Sequence, residues 1–313
     1  MKAPTLTIIR TAVGSPSVAG LIQELQKRNV RVIGTDCNSL SVGFFLCNKG
    51  YVVLKAEAPL FLKKFLEICD KEKVNAVISG PEEEVLVLSK HRKVFEERNI
   101  LLLIPDFQTA KLCADKLATH QFFEREDIPM PKLFSEKKVE FPCMIKPRFG
   151  RGGVNVYKVE DEEELSFLKR KVQNPIFQEF VEGVEYTVDI FSDLEGSPLS
   201  IVPRVRIQVE SGISMKGKTV YDRELIEWCE KIARTLRLLG PSCVQCIRGK
   251  QGLKFIEVNT RFGGGSILSI KADHTIVPNL IRIIQGKKPI KSKGFQGGLT
   301  MLRFYGEVYT HDS

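Results

Sequence analysis

Over the first hundred residues, short apolar runs alternate with stretches whose apolar positions recur at helical spacing. LTIIRTAV is followed by SVAGLIQELQKR and VRVIGTD, and later PLFLKKFLEICDKEK by NAVISG. Strands separated by helices of about 10 to 15 residues build βαβ units, and hence a parallel sheet with helices on its faces. The pattern predicts a small Rossmann-like α/β domain over residues 1–104. Its first strand runs into Gly14, Ser15 and Pro16, and its second ends at Asp36. A glycine turn at a helix start can receive pyrophosphate, and an acid about 20 residues on can hold a ribose. Only Gly14 and Gly20 remain of the GxGxxG spacing, which argues against a dinucleotide.

From Pro105 the pattern changes to α+β. FQTAKLCADKLATHQFFERED reads as one helix, closed by Ile128, Pro129 and Pro131. FPCMIKPRFGRGGVNVYKV is two strand-like runs around a glycine-rich loop, and the acidic helix DEEELSFLKRKV follows. Strong alternation in IFQEFVEGVEYTVDIFSD is punctuated by Gly183. The strand LSIVPRVRIQVE leads into a loop, SGISMKGKT; the helix DRELIEWCEKIARTLRLL then precedes the hairpin SCVQCIRGKQGLKFIEVNTRF. These elements predict one lobe over 105–184 carrying the glycine-rich loop and a second over 185–313 carrying the hairpin.

That hairpin ends in FIEVNTRFGGG, where Glu257, Asn259 and Arg261 share one strand face. A three-residue loop at Lys250, Gln251 and Gly252 would oppose Gly249 to Leu253 and Gln245 to Glu257, adding Gln245 to that face. Ile256 and Val258 would then anchor the strand in the core. Three oxygen donors suit a hard divalent cation such as magnesium, which takes one or two carboxylates plus phosphate oxygens. Arg261 could meet the same phosphate. Taken alone, the alternation describes equally an antiparallel sheet whose outer face is merely wet. PRFGRGG sets Gly150, Gly152 and Gly153 just after Lys146, where backbone N–H groups can approach phosphate oxygens. No GK[ST] closes it, so it is not a Walker loop. In FQEFVEGVEY, backbone groups before Gly183 could meet an adenine edge and Glu185 ribose hydroxyls, although an acidic turn between strands has the same composition.

Composition narrows the partners. The 313 residues are 43% hydrophobic and 27% charged, as in an ordinary globular protein, and allow more than one core. The net charge of +9 favours acidic ligands. Its densest group, Lys287, Lys288, Lys291 and Lys293, is broken by Pro289 and lacks interleaved aromatics, so no nucleic-acid partner is expected. No apolar run is long enough for a bilayer and no leader pattern opens the chain, which points to no membrane partner and a cytoplasmic location. The eight cysteines sit mostly in apolar segments, and Cys243 and Cys246 spell CxxC without a second pair. His91, His120, His274 and His311 are isolated from one another.

In their order and spacing, CADKLATHQFFEREDIPMP, MIKPRFGRGG, FQEFVEGVEYTVD, and VQ followed by FIEVNTRFGGG resemble the ATP-grasp superfamily. The likeness is greatest to the branch with the carbamoyl-phosphate synthetase large subunit and related carboxylate-amine ligases. It implies an ATP-grasp fold behind an N-terminal Rossmann-like domain, with ATP and Mg2+ (or Mn2+) between two α+β lobes. By that resemblance Lys116 and Lys146 contact the ATP phosphates, and Gly150, Gly152 and Gly153 close over them. Glu179, Phe180 and Val181 receive adenine and Glu185 the ribose; Gln245, Glu257 and Asn259 ligate the metal, and Arg261 stands beside the transferred phosphate. Arg204 and Arg206 would face the same way in PRVRIQ, either toward the site or as an exposed strand face, with Arg206 chosen for the acylphosphate or substrate carboxylate. The implied reaction activates a small carboxylate with ATP for attack by an amine. The alternatives are an ATP-binding module without ligase activity and a synthetase-like subunit acting with a partner. The synthetase large subunit carries two ATP-grasp halves where this chain shows one set, which favours a stand-alone ligase. Homodimerisation is left open. Glu82, Glu83 and Glu84 in SGPEEE, or the SGISMKGKT loop, are the generic candidates for the substrate pocket.

Overall fold

The structure is a computed structural model that describes residues 6–310. His311 lies outside the described residues. The first sheet joins β1 (Leu6–Thr11), β2 (Val30–Asp36), β3 (Lys49–Val52), β4 (Ala76–Ile78) and β5 (Leu101–Leu102) in the order β3-β2-β1-β4-β5, all parallel. Successive residues of β1 enter different cores, Ile8 on one face and Ile9 on the other. That is why its sequence is a continuous apolar run rather than an alternation. Helices α1 (Ala19–Gln26), α2 (Phe61–Glu72), α3 (Glu82–Lys90) and α4 (Arg92–Glu96) connect the strands. Asp36 accepts from Gly14 N at 2.7 Å. The acid at the end of β2 thus closes the chain's first glycine turn.

The segment from Phe107 departs from the expected single helix. It forms α5 (Phe107–Ala114) and α6 (Lys116–Arg125), separated by Asp115 in an extended conformation. Asp115 accepts from Leu117 N and Ala118 N at 3.0 and 3.2 Å, and Arg148 donates to it through Nε and Nη2 at 2.7 and 2.6 Å. Helical periodicity continues across the break, so an apolar count cannot detect it; the N-cap aspartate is the signal.

A second sheet contains β6 (Leu133–Phe134), β7 (Cys143–Pro147), β8 (Tyr157–Val159) and β9 (Pro175–Glu179) in the order β6-β9-β7-β8, with α7 (Glu162–Leu168) packed on it. The third sheet holds β10 (Gly183–Ser192), β11 (Pro198–Glu210), β12 (Ile213–Thr219), β13 (Gly240–Gly249), β14 (Gly252–Asn259) and β15 (Thr300–Leu302), in the order β14-β13-β10-β11-β12-β15. SGISMKGKT is therefore mostly strand β12, not a loop. Helix α8 (Arg223–Thr235) buries Leu225, Cys229 and Ile232 against the inner face of this sheet, in the core that also takes Phe123 from α6.

After β14 the chain enters α9 (Ser266–Ala272) and α10 (Ile276–Ile284). Ile270, Ile276, Val277, Leu280 and Ile283 from these helices share a core with Ile8, Ile22 and Val32 of the N-terminal sheet and α1. The link is also polar: Lys271 donates to Glu24 at 2.7 Å. The end of the hairpin is thereby fastened to the N-terminal layer. No helix among the described residues is long and apolar enough to cross a membrane.

Asp115 combines a helix cap with a bidentate arginine contact. Asp115→Ala is expected to destabilise the protein by about 2 kcal/mol, and Asp115→Asn, which keeps the cap oxygen, by roughly half of that. Urea unfolding of the three proteins measures the difference.

Candidate functional site

Three cross-strand rows on the outer face of the third sheet form the floor of a cleft. Register places Glu257 opposite Gln245, Gln245 opposite Thr187, and Thr187 opposite Arg204, so these four make one row across β14, β13, β10 and β11. One row further are Asn259, Cys243 and Asp189. On the other side, Ile247 pairs with Glu185 in register, and Glu185 forms an ion pair with Arg206. Side chains two apart on a strand share a face, which brings all three rows to the same side.

The Gln245–Glu257 pairing agrees with the expectation, but it is reached by another route. The turn leaves only Lys250 and Gln251 unpaired, so Gly249 opposes Gly252 and Arg248 opposes Leu253. A bulge between Cys246 and Gln245 then absorbs one extra residue, Ile256, and restores the register. The consequence falls on Ile256, expected in the core. It lines the cleft beside Glu257, while Phe255 and Val258 on either side are the core anchors. The other wall comes from the second sheet and its loop: Lys146, Gly150, Arg151, Gly152 and Gly153. Gly150, Gly152 and Gly153 have φ of +123°, +71° and +73°, which orient the loop backbone in a way most side chains resist.

The cleft has a volume of about 540 Å³. It gathers eleven of the fourteen residues singled out from the sequence: Lys116, Lys146, Gly150, Gly152, Gly153, Glu185, Arg206, Gln245, Glu257, Asn259 and Arg261. Glu179, Phe180 and Val181 do not line it. They lie in the passage from β9 to β10, where Glu179 accepts from Lys132 N at 3.1 Å and the Lys158 ammonium sits over the Phe180 ring. Reading by motif also passed over Thr187 and Asp189, although Glu185, Thr187 and Asp189 alternate in VEYTVD and that period places them on one face. Glu82, too generic in sequence to assign, reaches the site electrostatically from the start of α3.

Charges in the cleft are unbalanced. Lys116, Lys146, Arg151, Arg204, Arg206 and Arg261 line it against only two carboxylates, Glu185 and Glu257. Several cations hold protein partners: Lys116 donates to Gly150 O, Arg206 to Glu185 and to Gly212 O, and Arg261 Nη2 to Asn259 Oδ1 at 2.9 Å. Lys146 is buried, and burial pushes its ammonium down to about 8, with Glu257 opposing and Lys116 reinforcing the shift. A wall with this excess of positive charge favours an anionic partner. For a cation, Gln245, Glu257 and Asn259 supply three oxygen donors but one carboxylate. Among the described residues no group of three His, Cys, Asp or Glu could hold a metal ion. Cys243 faces the cleft and Cys246 the core, so the CxxC thiols lie on opposite faces of β13.

Comparison with known proteins agrees with this layout. Residues 113–265 match the model of the ATP-grasp domain, and residues 12–103 that of the PylC-like N-terminal domain. The carbamoyl phosphate synthase large chain of Clostridium perfringens (strain 13 / Type A) is 27% identical over 308 residues, covering 89% of this chain and 28% of the relative. The 3-methyl-D-ornithine--L-lysine ligase of Methanosarcina acetivorans is 28% identical over 202 residues, covering 64% of this chain and 52% of the relative. The chain thus spans between 28% and 52% of the length of these curated relatives. Among solved structures, biotin carboxylase from Campylobacter jejuni, in a β,γ-ATP complex, superposes with a TM-score of 0.75 at 14% identity, covering 94% of this chain and 74% of that one. The L-amino acid ligase from Bacillus licheniformis gives 0.71 at 16% identity, covering 93% and 76%. These likenesses show the fold.

The Glu82 carboxyl is pushed up from 4.5 to about 7, first by burial and then by Glu257, with Arg261 and Lys116 opposing. The folded protein holds this proton more tightly than the unfolded chain does. Ionised Glu82 therefore costs stability that begins to appear above pH 4.5 and is complete above pH 7. Glu82→Gln is expected to raise the Tm by a few degrees at pH 8 and to leave it unchanged at pH 4.5, measured by thermal denaturation in EDTA without nucleotide.

Proposed function

We propose that this protein, whose residues 113–265 match the model of the ATP-grasp domain, is an ATP- and magnesium-dependent ligase. It activates a small carboxylate as an acylphosphate for attack by an amine. The observation that supports this reading best is the convergence of separate sequence segments, MIKPRFGRGG, GVEYTVD, PRVRIQ and FIEVNTRFGGG, on one cation-rich cleft. Of the proposed functional units, residues 1–104, 105–184 and 185–313, the second and third line it, while Glu82 of the first acts on it electrostatically.

In this reading Lys116 and Lys146 neutralise the triphosphate, and the backbone N–H groups of Gly150, Gly152 and Gly153 cover it. Glu185 takes the ribose hydroxyls, and the passage Glu179, Phe180 and Val181 takes the adenine edge. Glu185 is already bound to Arg206. A ribose arriving there replaces Arg206 as its partner and releases the guanidinium toward the phosphates. Gln245, Glu257 and Asn259 would hold magnesium or manganese together with phosphate oxygens. When bound, that ion supplies charge neutralisation at the transferring phosphoryl group.

A substrate carboxylate oxygen attacks the γ-phosphorus as the bond from that phosphorus to the β,γ-bridging oxygen breaks, yielding ADP and an acylphosphate. Arg261 and the released Arg206 neutralise the transferring group, and no protein nucleophile is required. The amine then attacks the acyl carbon, and inorganic phosphate leaves. Glu82, in electrostatic contact with Glu257 and Arg261, suits the proton that the amine must lose.

The test is phosphate release from Mg-ATP against a pool of small carboxylates, amino acids included, paired with amines. Release is expected to depend on both substrates and to fall at least roughly 100-fold in Glu257→Gln, on the scale of losing a charge at a phosphoryl-transfer centre. No release across the pool, together with unchanged magnesium-dependent ATP binding in Glu257→Gln, would overturn the assignment and leave a nucleotide-binding module.

A further inference from the structure

We propose that Arg204 is the anion subsite for the carboxylate that becomes phosphorylated, a position that rests on the ligase reading above. Arg204 is 2% exposed yet lines the cleft. Two of its nitrogens are pinned: Nε donates to Asp189 Oδ2 at 2.7 Å, and Nη1 to Ser214 Oγ at 3.0 Å. Nη2 has no protein hydrogen-bond partner among the described residues. An arginine is always charged and carries five N–H donors. Nη2 is not among the side-chain nitrogens sealed from solvent without a partner, so its donor pair opens to the cleft, where an oxyanion can accept from it. Arg206, the arginine favoured by sequence, has both terminal nitrogens on Glu185 and Gly212.

The turn Gly263–Gly265 is shaped around this side chain. A Cβ on Gly265 would lie 2.5 Å from Arg204 Nη1 and 2.6 Å from Cζ, and one on Gly263 would lie 3.4 Å from Nη2. All three glycines of that turn line the cleft beside Arg204. They have no left-handed backbone requirement, since none has a positive φ. Gly265 is needed instead for the close approach of the guanidinium, and Gly263 for that of Cys243 Sγ, 3.0 Å from where its Cβ would lie.

Position sets the ligand. In the row Glu257–Gln245–Thr187–Arg204, Arg204 stands three strand spacings from Glu257, or about 14 Å between backbones. That is too far to share a metal's inner shell and suits a second anion joined to the transferring phosphoryl group. Arg204 also lies one row from the Glu185–Arg206 pair, on the side toward Asp189 and away from the proposed ribose site. The same oxyanion chemistry would serve a phosphate of the nucleotide, so the test separates the two.

Acetyl phosphate, a small acylphosphate used freshly dissolved, and inorganic phosphate are titrated separately onto the MgADP-loaded protein and followed by 31P NMR. The variants are Arg204→Lys, which keeps a cation on Asp189 but gives up the second terminal nitrogen, and Gly265→Ala, which displaces the guanidinium and keeps both charges. Arg204→Leu is avoided, because it would strand a buried aspartate. Both variants are expected to bind acetyl phosphate roughly tenfold to a hundredfold more weakly than wild type, with inorganic phosphate and MgADP within twofold. Acetyl phosphate binding unchanged in Arg204→Lys, or absent from the wild type at millimolar concentration, would overturn the subsite. Equal weakening of acetyl phosphate and inorganic phosphate would also overturn it, assigning Arg204 to the phosphoryl group. Failure of wild-type protein to bind MgADP would instead overturn the ligase reading from which the subsite follows.

Discussion

The contact on which most of the site depends is the buried ion pair between Asp189 and Arg204. Asp189 accepts from Arg204 Nε, from Ser266 Oγ at 2.7 Å and from Ser269 Oγ at 2.6 Å, so one carboxylate joins β10, β11 and the first turn of α9. Pairs of this kind contribute little net stability against a well-packed apolar replacement, because desolvation consumes most of the attraction. Their strength is in excluding alternatives: any slip of β10 against β11 would bury both charges apart. The pair thereby holds in register the two strands that present Glu185, Thr187, Arg204 and Arg206, and it aims α9 at the N-terminal sheet.

Much of this was legible before any coordinates. The βαβ rhythm of the first hundred residues identifies the parallel sheet, and alternation in VEYTVD, PRVRIQ and FIEVNTRF identifies strands with one polar face. What was not legible is local and has physical causes. Helical periodicity runs unbroken through Asp115, whose side chain ends one helix and caps the next. Glu257 faces Gln245 because a two-residue turn and a bulge compensate each other, and period-two counting sees neither. The same bulge turns Ile256 out of the core. Pattern gives Arg204 and Arg206 the same face but not different partners; only packing reveals that Glu185 and Gly212 take Arg206 while Asp189 and Ser214 leave one nitrogen of Arg204 free.

The cleft is also organised by the protein partners its cations hold. Arg206 rests on Glu185, Arg261 on Asn259 and Lys116 on the glycine loop, while Arg151 lies 3.4 Å from Glu83 at the head of α3. Each contact lowers the cost of gathering six positive side chains around one cavity. Each is also replaceable by a phosphate or carboxylate oxygen, so binding exchanges partners instead of filling a bare charged hole. Lys146 follows the other course: among the described residues no hydrogen bond holds its ammonium, and burial lowers its proton affinity against the pull of Glu257.

The core shared by α9, α10 and the N-terminal sheet bears on how such a protein can be assembled from parts. Ile270, Val277 and Leu280 belong by chain order to the last third, yet their apolar surface is covered by residues from the first thirty-two. Cutting at the boundary suggested by secondary structure would leave both fragments with a raw hydrophobic wound. The first and last segments of the chain therefore close one core together, like the two ends of a clasp.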